Sequence, residues 1–309
     1  MMFSLRPSYP PVALEIGEGY ATAVRFRRRK EENKLVEWHQ AELPPRAREE
    51  QVGEGLVPDE EMQSALAELV GRLGRVKRLS LALPDTAVRS FYLEVENPAA
   101  AGRELREMIL FKIRKLSPIR PEAAAIAYRR LRASPDGGAR YLAQLTSRRM
   151  TRGLESFFER RGIHLGLIET ASVAAAELFA PALAEEAGDF AMVRVERKHF
   201  SVSVFRQGAL AFSRTRAGGA GAVTPDAVAH EVRTLNLYSQ DKLGSAGMSA
   251  AFVHGPGAAA AEVCEKLEAE DFAARRLLLE DAVDVPPELL GRPDEQGKLA
   301  AAVGAATRR

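Results

Sequence analysis

The 309-residue sequence predicts an α/β protein of two lobes built on one plan, with a small α/β subdomain inserted between the repeated units. Three observations predict it. A unit of three short strands, a helix and a further strand is legible twice, first from Val12 and again from Phe190. Glycines close the turns at matching places in both copies. The stretch between them carries a smaller strand–helix–strand pattern of its own. The expected divisions are 1–85 plus 166–183 for lobe one, 86–165 for the inserted subdomain and 184–309 for lobe two.

Taken in order, Val12–Ile16 is a short apolar strand, and Gly17-Glu18-Gly19 supplies a tight turn where φ is free to be positive. Tyr20–Arg27 alternates, a charged reversal follows, and Leu35–Ala41 makes the third strand. Residues 44–58 are rich in Pro, Gly and charge and read as a loop. Asp59 is a good N-cap for a helix to about Gly74, with Met62, Leu66, Leu69, Val70 and Leu73 at helical spacing. Val76–Leu83 is a strand closed by Pro84-Asp85.

The inserted stretch reads as a strand (Ala87–Val95), a helix (about Arg103–Leu116), a strand (Ala124–Leu131), a Pro135–Gly138 turn, a strand (Arg140–Thr146) and a helix from Arg148. In its first helix Leu105, Met108, Ile109, Ile113 and Leu116 share a face, while Leu110 and Phe111 lie off it. Leu165–Glu169 is a strand leading to an alanine-rich helix, Ser172–Leu183. The second copy then opens with Phe190–Val195, His199–Phe205 and Ala209–Thr215, and Gly218-Gly219 ends the unit. Thr224-Pro225-Asp226 starts a long helix, with threonine as cap and proline at the first helical position. Ala250–His254, a Gly255-Pro256-Gly257 turn and a helix to Leu267 follow.

Composition excludes several classes. Apolar residues make 46% and charged residues 28%, with a net charge of only +2, so no bulk field favours nucleic acid. Cys264 is the only cysteine, which rules out an intrachain disulfide or a cysteine metal cluster and fits a reducing cytoplasm. The five histidines show no ligand spacing. The start lacks an apolar signal core, and no run approaches the ~18 apolar residues of a membrane span, so a soluble protein is expected.

The segment Ala13–Val24 resembles the first phosphate hairpin of the PilM-like type IV pilus assembly proteins and of the cell-division protein FtsA. Glu104–Tyr128, Gly162–Ala176, Gly208–Arg214 followed by Gly218-Gly219, Val253–Gly257 and Leu299–Arg308 are similar to later stretches of the PilM-like family, in the same order. The resemblance implies an actin-like (ribonuclease-H-like) two-lobed fold with the inserted small α/β subdomain in lobe one and a reduced lobe two. It implies a nucleotide cleft between the lobes, where glycine turns approach the phosphates and aspartates on two hairpins hold magnesium through water. The corresponding positions here are Glu15, Gly17, Gly19, Arg194, Gly218, Gly219, Gly255 and Gly257. Glu15 replaces the first aspartate, Arg194 stands where the second should be, Glu196 removes a glycine and Pro256 removes an amide donor. About a dozen residues separate Gly219 from the helix near Glu231, too few for the second subdomain that PilM-like proteins carry there.

Three functions follow from that likeness. The first is a scaffold of the pilus assembly platform without catalytic residues, metal or cofactor. It would be cytoplasmic and peripheral on the inner membrane, binding the N-terminal tail of a PilN-like membrane protein and other platform proteins. Phe91, Leu93, Leu110, Phe111, Ile113 and Leu116 are the candidate groove residues for that tail, each weighed against burial in an ordinary core. The second is an ATP–magnesium-dependent ATPase or sugar-kinase-like enzyme, for which Glu15 is the plausible metal-facing acid. The third is a cytoplasmic module of type II secretion similar to GspL, which the absence of a membrane helix before Arg309 disfavours.

Overall fold

The computed structural model describes residues 9–28, 33–43, 58–95, 101–117, 119–131, 139–186, 188–218 and 221–308. Most of the expected loop 44–58, the Pro135–Gly138 turn and Gly219 lie outside the described residues.

Lobe one is a five-stranded sheet made of β1 (Val12–Ile16), β2 (Tyr20–Arg28), β3 (Asn33–Glu42), β4 (Arg78–Leu83) and β8 (His164–Thr170), in the order β3-β2-β1-β4-β8. Lobe two repeats it with β9 (Asp189–Val195), β10 (His199–Arg206), β11 (Ala209–Ala217), β12 (Met248–His254) and β13 (Ala274–Arg276), in the order β11-β10-β9-β12-β13. In each lobe the first strand pairs antiparallel with the second and parallel with the fourth. The repeat expected from the sequence is a repeat of topology.

Alternation on the strands decides what faces where. Val12, Leu14 and Ile16 enter a core with Met62, Leu66 and Leu69 of α1 (Glu60–Arg72). Asp59 caps that helix, accepting from the Met62 N–H at 2.9 Å. Ala191, Val193 and Val195 enter the equivalent core of lobe two, with α5 (Pro225–Leu243) and α6 (Ala259–Glu268). The opposite faces of both sheets meet a shared core with Ala13, Phe26, Phe190, Met192 and Phe252 around α4 (Ala171–Phe179) and α7 (Pro293–Thr307). Helices thus cover the outer face of each sheet, and two small-residue helices lie between the sheets. β11 connects to α5 through residues 218–224 alone, so no subdomain intervenes there.

Between β4 and β8 the chain forms a three-stranded antiparallel sheet of β5 (Arg89–Val95), β6 (Ala124–Arg130) and β7 (Ala139–Ser147), ordered β5-β7-β6. Leu105, Ile109 and Ile113 of α2 (Gly102–Leu116) cover one face of it. Helix α3 (Arg148–Glu159) falls inside the expected 86–165 segment, yet Met150, Leu154, Phe157 and Phe158 pack into the lobe-one core.

Candidate functional site

The strand alternation that sends Ala13 toward the inter-lobe side sends Glu15 there too, and the alternation of Phe190 and Met192 carries on to Arg194 and Glu196. The two hairpin ends therefore confront each other with an acid on one side and a base on the other. Arg194 Nη2 donates to Glu15 Oε1 and to Glu196 Oε1, each at 2.5 Å. The Tyr20 hydroxyl lies 3.0 Å from the same two oxygens and shares its one proton between them. All four side chains are buried, Glu15 completely. One residue outward, Glu18 accepts from the Lys198 backbone N–H at 2.8 Å and pairs with His199 Nδ1 at 3.5 Å. The two hairpins are joined to each other by ion pairs.

Electrostatics follow from burial and from an excess of one acid. The Glu15 carboxyl is pushed up to about 7 by burial, with Arg194 opposing and Glu196 adding to the rise. Burial, then Glu15 and Glu196, hold the Tyr20 hydroxyl well above its ordinary value, so it stays protonated. Burial works against the Arg194 charge, but Glu15 and Glu196 outweigh it. His254, on the same side of β12, is pressed well below its ordinary value by burial and then by Arg194, and its ring is neutral. Burial also opposes charge on His199, yet the Glu18 bond and the Glu196 and Asp85 charges raise it above 6.5. For Glu18 burial alone would raise the carboxyl, and the His199 and Lys198 bonds instead bring it below 4.5.

These shifts predict a pH dependence. A group raised on folding stabilises below its unfolded value and loses that stabilisation as the pH rises through its folded value. Glu15 and His199 share this sign, acting from 4.5 to about 7 and from 6.5 upward respectively. His254 has the opposite sign and adds stability only as the pH rises to 6.5, and Glu18 loses its contribution only in acid, as the pH falls below 4.5. Thermal melting is therefore expected to show a Tm that falls as the pH rises above 6.5. His199→Gln should flatten the upper part of that fall, and an unchanged slope in the variant assigns it to another group.

The remaining cleft positions do not fit magnesium and a nucleotide. A Cβ on Gly17 would stand 2.1 Å from the Tyr20 ring, so the space beside this turn is taken by the protein's own side chain. Gly255 (φ 145°) presses on β9, where an added Cβ would lie 2.1 Å from the Val195 carbonyl oxygen. Its own carbonyl oxygen packs on α7, 2.0 Å from where a Cβ of Gly297 would be. Gly19 and Gly257 serve positive-φ turns, at 80° and 79°. Gly218 donates to the Lys198 carbonyl at 2.5 Å, folding its loop onto the second hairpin. Arg194 puts a cation, not an oxygen donor, at the centre of the cluster, and among the described residues no group of three or more potential metal ligands exists. Tyr20 and Glu196 complete the cluster and were not expected as its members. The available signal was a matched acid and base at corresponding positions of the two hairpins.

A wide opening lies elsewhere. A groove of about 1050 Å³ runs between the inserted sheet, α4 and β11. One wall is the uncovered face of the inserted sheet, with Tyr92, Leu142 and Gln144; Val173 and Ala176 form the floor; Leu210 and Phe212 form the lobe-two wall. Tyr92 and Phe212 meet at one point of it, their rings tilted by 32° with centroids 4.5 Å apart. Of its arginines, Arg129 pairs with Glu177 and Arg214 with Glu231, while Arg89 and Arg130 have no ion-pair partner among the described residues.

The expected partner residues divide. Phe91 and Leu116 line this groove. Leu93 and Ile113 are core residues instead: they are 3% and 0% exposed inside the inserted subdomain, because the strand pleat and the helical period turn them inward. Leu110 lines a separate opening of about 340 Å³ beside Ile126 and Tyr128. Phe111 faces neither and is 58% exposed, with Lys115 Nζ 4.4 Å from its ring centroid. Leu116 shares the core face by period but is 57% exposed, since the helix ends there.

Two lobes of identical sheet topology around α4 and α7, with a small sheet inserted in the first, define the actin-like ATPase fold. Among solved structures, a chain of the PilM-PilN type IV pilus biogenesis complex is similar at a TM-score of 0.74 and 14% identity, over 97% of this chain and 98% of that one. A Bacteroides thetaiotaomicron VPI-5482 protein of actin-like ATPase fold and unknown function is similar at 0.54 and 10%, over 92% and 95%. The cytoplasmic domain of EpsL, an inner membrane component of the Vibrio cholerae type II secretion system, gives 0.46 and 11% over 79% and 82%, too loose a likeness to argue from. Neither a protein-family model nor a curated protein matches the sequence.

Proposed function

We infer that this chain is an actin-like scaffold of a type IV pilus assembly platform. It binds the N-terminal tail of a PilN-like inner-membrane protein in the groove between the inserted sheet and β11, and it does not hydrolyse ATP. The groove carries this reading: an open channel, walled by aromatic and aliphatic side chains from three parts of the chain, is the shape an extended apolar tail requires. The similarity to a PilM-PilN chain over 97% of the sequence supports it. Among the described residues no helix is long and apolar enough to cross a membrane, and Cys264 is free and buried. The scaffold is thus read as a cytoplasmic protein that reaches the membrane, and other platform proteins, through its partner.

Calorimetry tests the two halves separately. ATP with magnesium is expected to give no binding or weak binding, and a synthetic PilN-like N-terminal peptide is expected to bind. Leu116→Glu and Val173→Glu, inside the groove, should each weaken the peptide by roughly tenfold or more without lowering Tm. Phe111→Glu, outside it, should leave affinity unchanged. Tight ATP binding with turnover lost in Glu15→Ala would overturn the reading in favour of an enzyme.

A further inference from the structure

The cleft contains a positive charge of its own. We propose that the Arg194 guanidinium is a built-in cation that fastens the two lobes together permanently, in place of an exchangeable one. The proposal rests on the cleft being non-hydrolytic, as argued above, and adds what holds it closed.

The geometry carries the argument. Two carboxylate oxygens, one from each lobe, converge on a single nitrogen at 2.5 Å, and both N–H groups of Arg194 Nη2 are used, one on each. A third polar group, the Tyr20 hydroxyl, lies 3.3 Å from the same nitrogen. Convergence of oxygen donors on one point is how proteins hold a small cation. Here that point belongs to a side chain that cannot dissociate. The links cross between lobes in both directions: Arg194 of lobe two binds Glu15 of lobe one, and Tyr20 of lobe one binds Glu196 of lobe two. The second Glu15 oxygen is buried without a protein partner among the described residues, so the carboxylate has unused capacity toward a cation.

Removing the guanidinium leaves two carboxyl groups buried face to face, and a free cation should then fill the place by drawing both into the charged form. The test uses the full chain and its Arg194→Ala variant, melted without additive and with millimolar magnesium, manganese, calcium or methylguanidinium chloride. Wild-type Tm should not respond to any of them. The variant should melt roughly 5–8 °C lower and regain about half of that loss with at least one cation. Adding Glu196→Gln should abolish the recovery. Fluorescence of Trp38, the single tryptophan, which packs against the inter-lobe core, should follow the same loss and recovery. A variant with wild-type Tm, or one indifferent to every cation, overturns the proposal. If Arg194→Ala does not fold, Arg194→Lys replaces it: the shorter cation should melt below wild type, and Glu15→Gln should lower Tm less in that background than in wild type, while an equal effect in both backgrounds overturns the proposal. Magnesium–ATP binding by the wild type would instead defeat the non-hydrolytic reading, leaving the latch to be judged by the cation series.

Discussion

Gly304→Val should leave little folded protein, with unfolding free energy lowered by about 4 kcal/mol or more. The reason is where α4 and α7 cross. A Cβ on Gly304 would sit 2.0 Å from the Ala174 carbonyl oxygen and 2.5 Å from its carbon, and both are helix backbone that cannot rotate away. Ala171, Ala174 and Ala175 on one helix and Ala301, Ala302 and Ala305 on the other are all buried in the same inter-lobe core. Small residues let two backbones approach closely, and widening that crossing would also lift α7 from β1 and β2. Gly297, two turns earlier, makes the corresponding close approach to Gly255 of lobe two, so α7 is clasped by both lobes. Gly71→Ala is the control: it lies in α1 with nothing within 4 Å of an added Cβ, and it should be neutral or stabilising by up to about 1 kcal/mol. Urea titration of both variants checks the pair. Equal stability of Gly304→Val and wild type would show that the crossing has slack.

Much of this architecture could be read in the sequence because its signals are local. The hairpin turns, the Asp59 and Thr224 caps, and the apolar periods of α1 and α2 are set by a few neighbouring residues. The elements that escaped are those whose cause is distant. β13 is three residues, Ala274–Arg276, extended because it pairs with β12. α7 begins at Pro293, earlier than the Leu299–Arg308 match, and its alanines and glycines show no period because it is buried on all sides from Leu299 to Ala306. The candidate cleft was half legible. Glu15 and Arg194 could be placed on opposite hairpins, but Glu196 read only as a missing glycine until the hairpins were seen to touch. The partner groove was least legible. Helical spacing marks which face is apolar but not what covers it, and the lobe-two wall at Leu210 and Phe212 comes from a strand far away in the chain.

Asp85→Ala should cost about 3 kcal/mol and loosen the lobes, while Asp85→Asn should cost about 1 kcal/mol. Thr170 occupies the N-cap position of α4 but its side chain makes no capping bond. Asp85, from the turn after β4, does so instead, accepting from the Ser172 N–H at 3.1 Å and its hydroxyl at 2.7 Å. Its second oxygen accepts from Ser201 of β10 at 2.8 Å, and Ser201 continues to Thr215 of β11 at 2.9 Å. One carboxylate, 3% exposed, thus caps a lobe-one helix and holds a lobe-two strand beside the groove floor. Alanine removes the cap and leaves Ser172 N–H and the Ser201 hydroxyl to lose their partner together. Asparagine keeps an acceptor for the helix and places an amide against Ser201, which can accept from it. Denaturant unfolding separates the two substitutions, and hydrogen exchange at β10 and β11 reports whether the lobes part. If alanine and asparagine cost the same, the negative charge at the helix terminus dominates and the bridge to Ser201 contributes little. If exchange in β11 is unaltered by alanine, the lobes are held by Arg194 and α7 without help from Asp85.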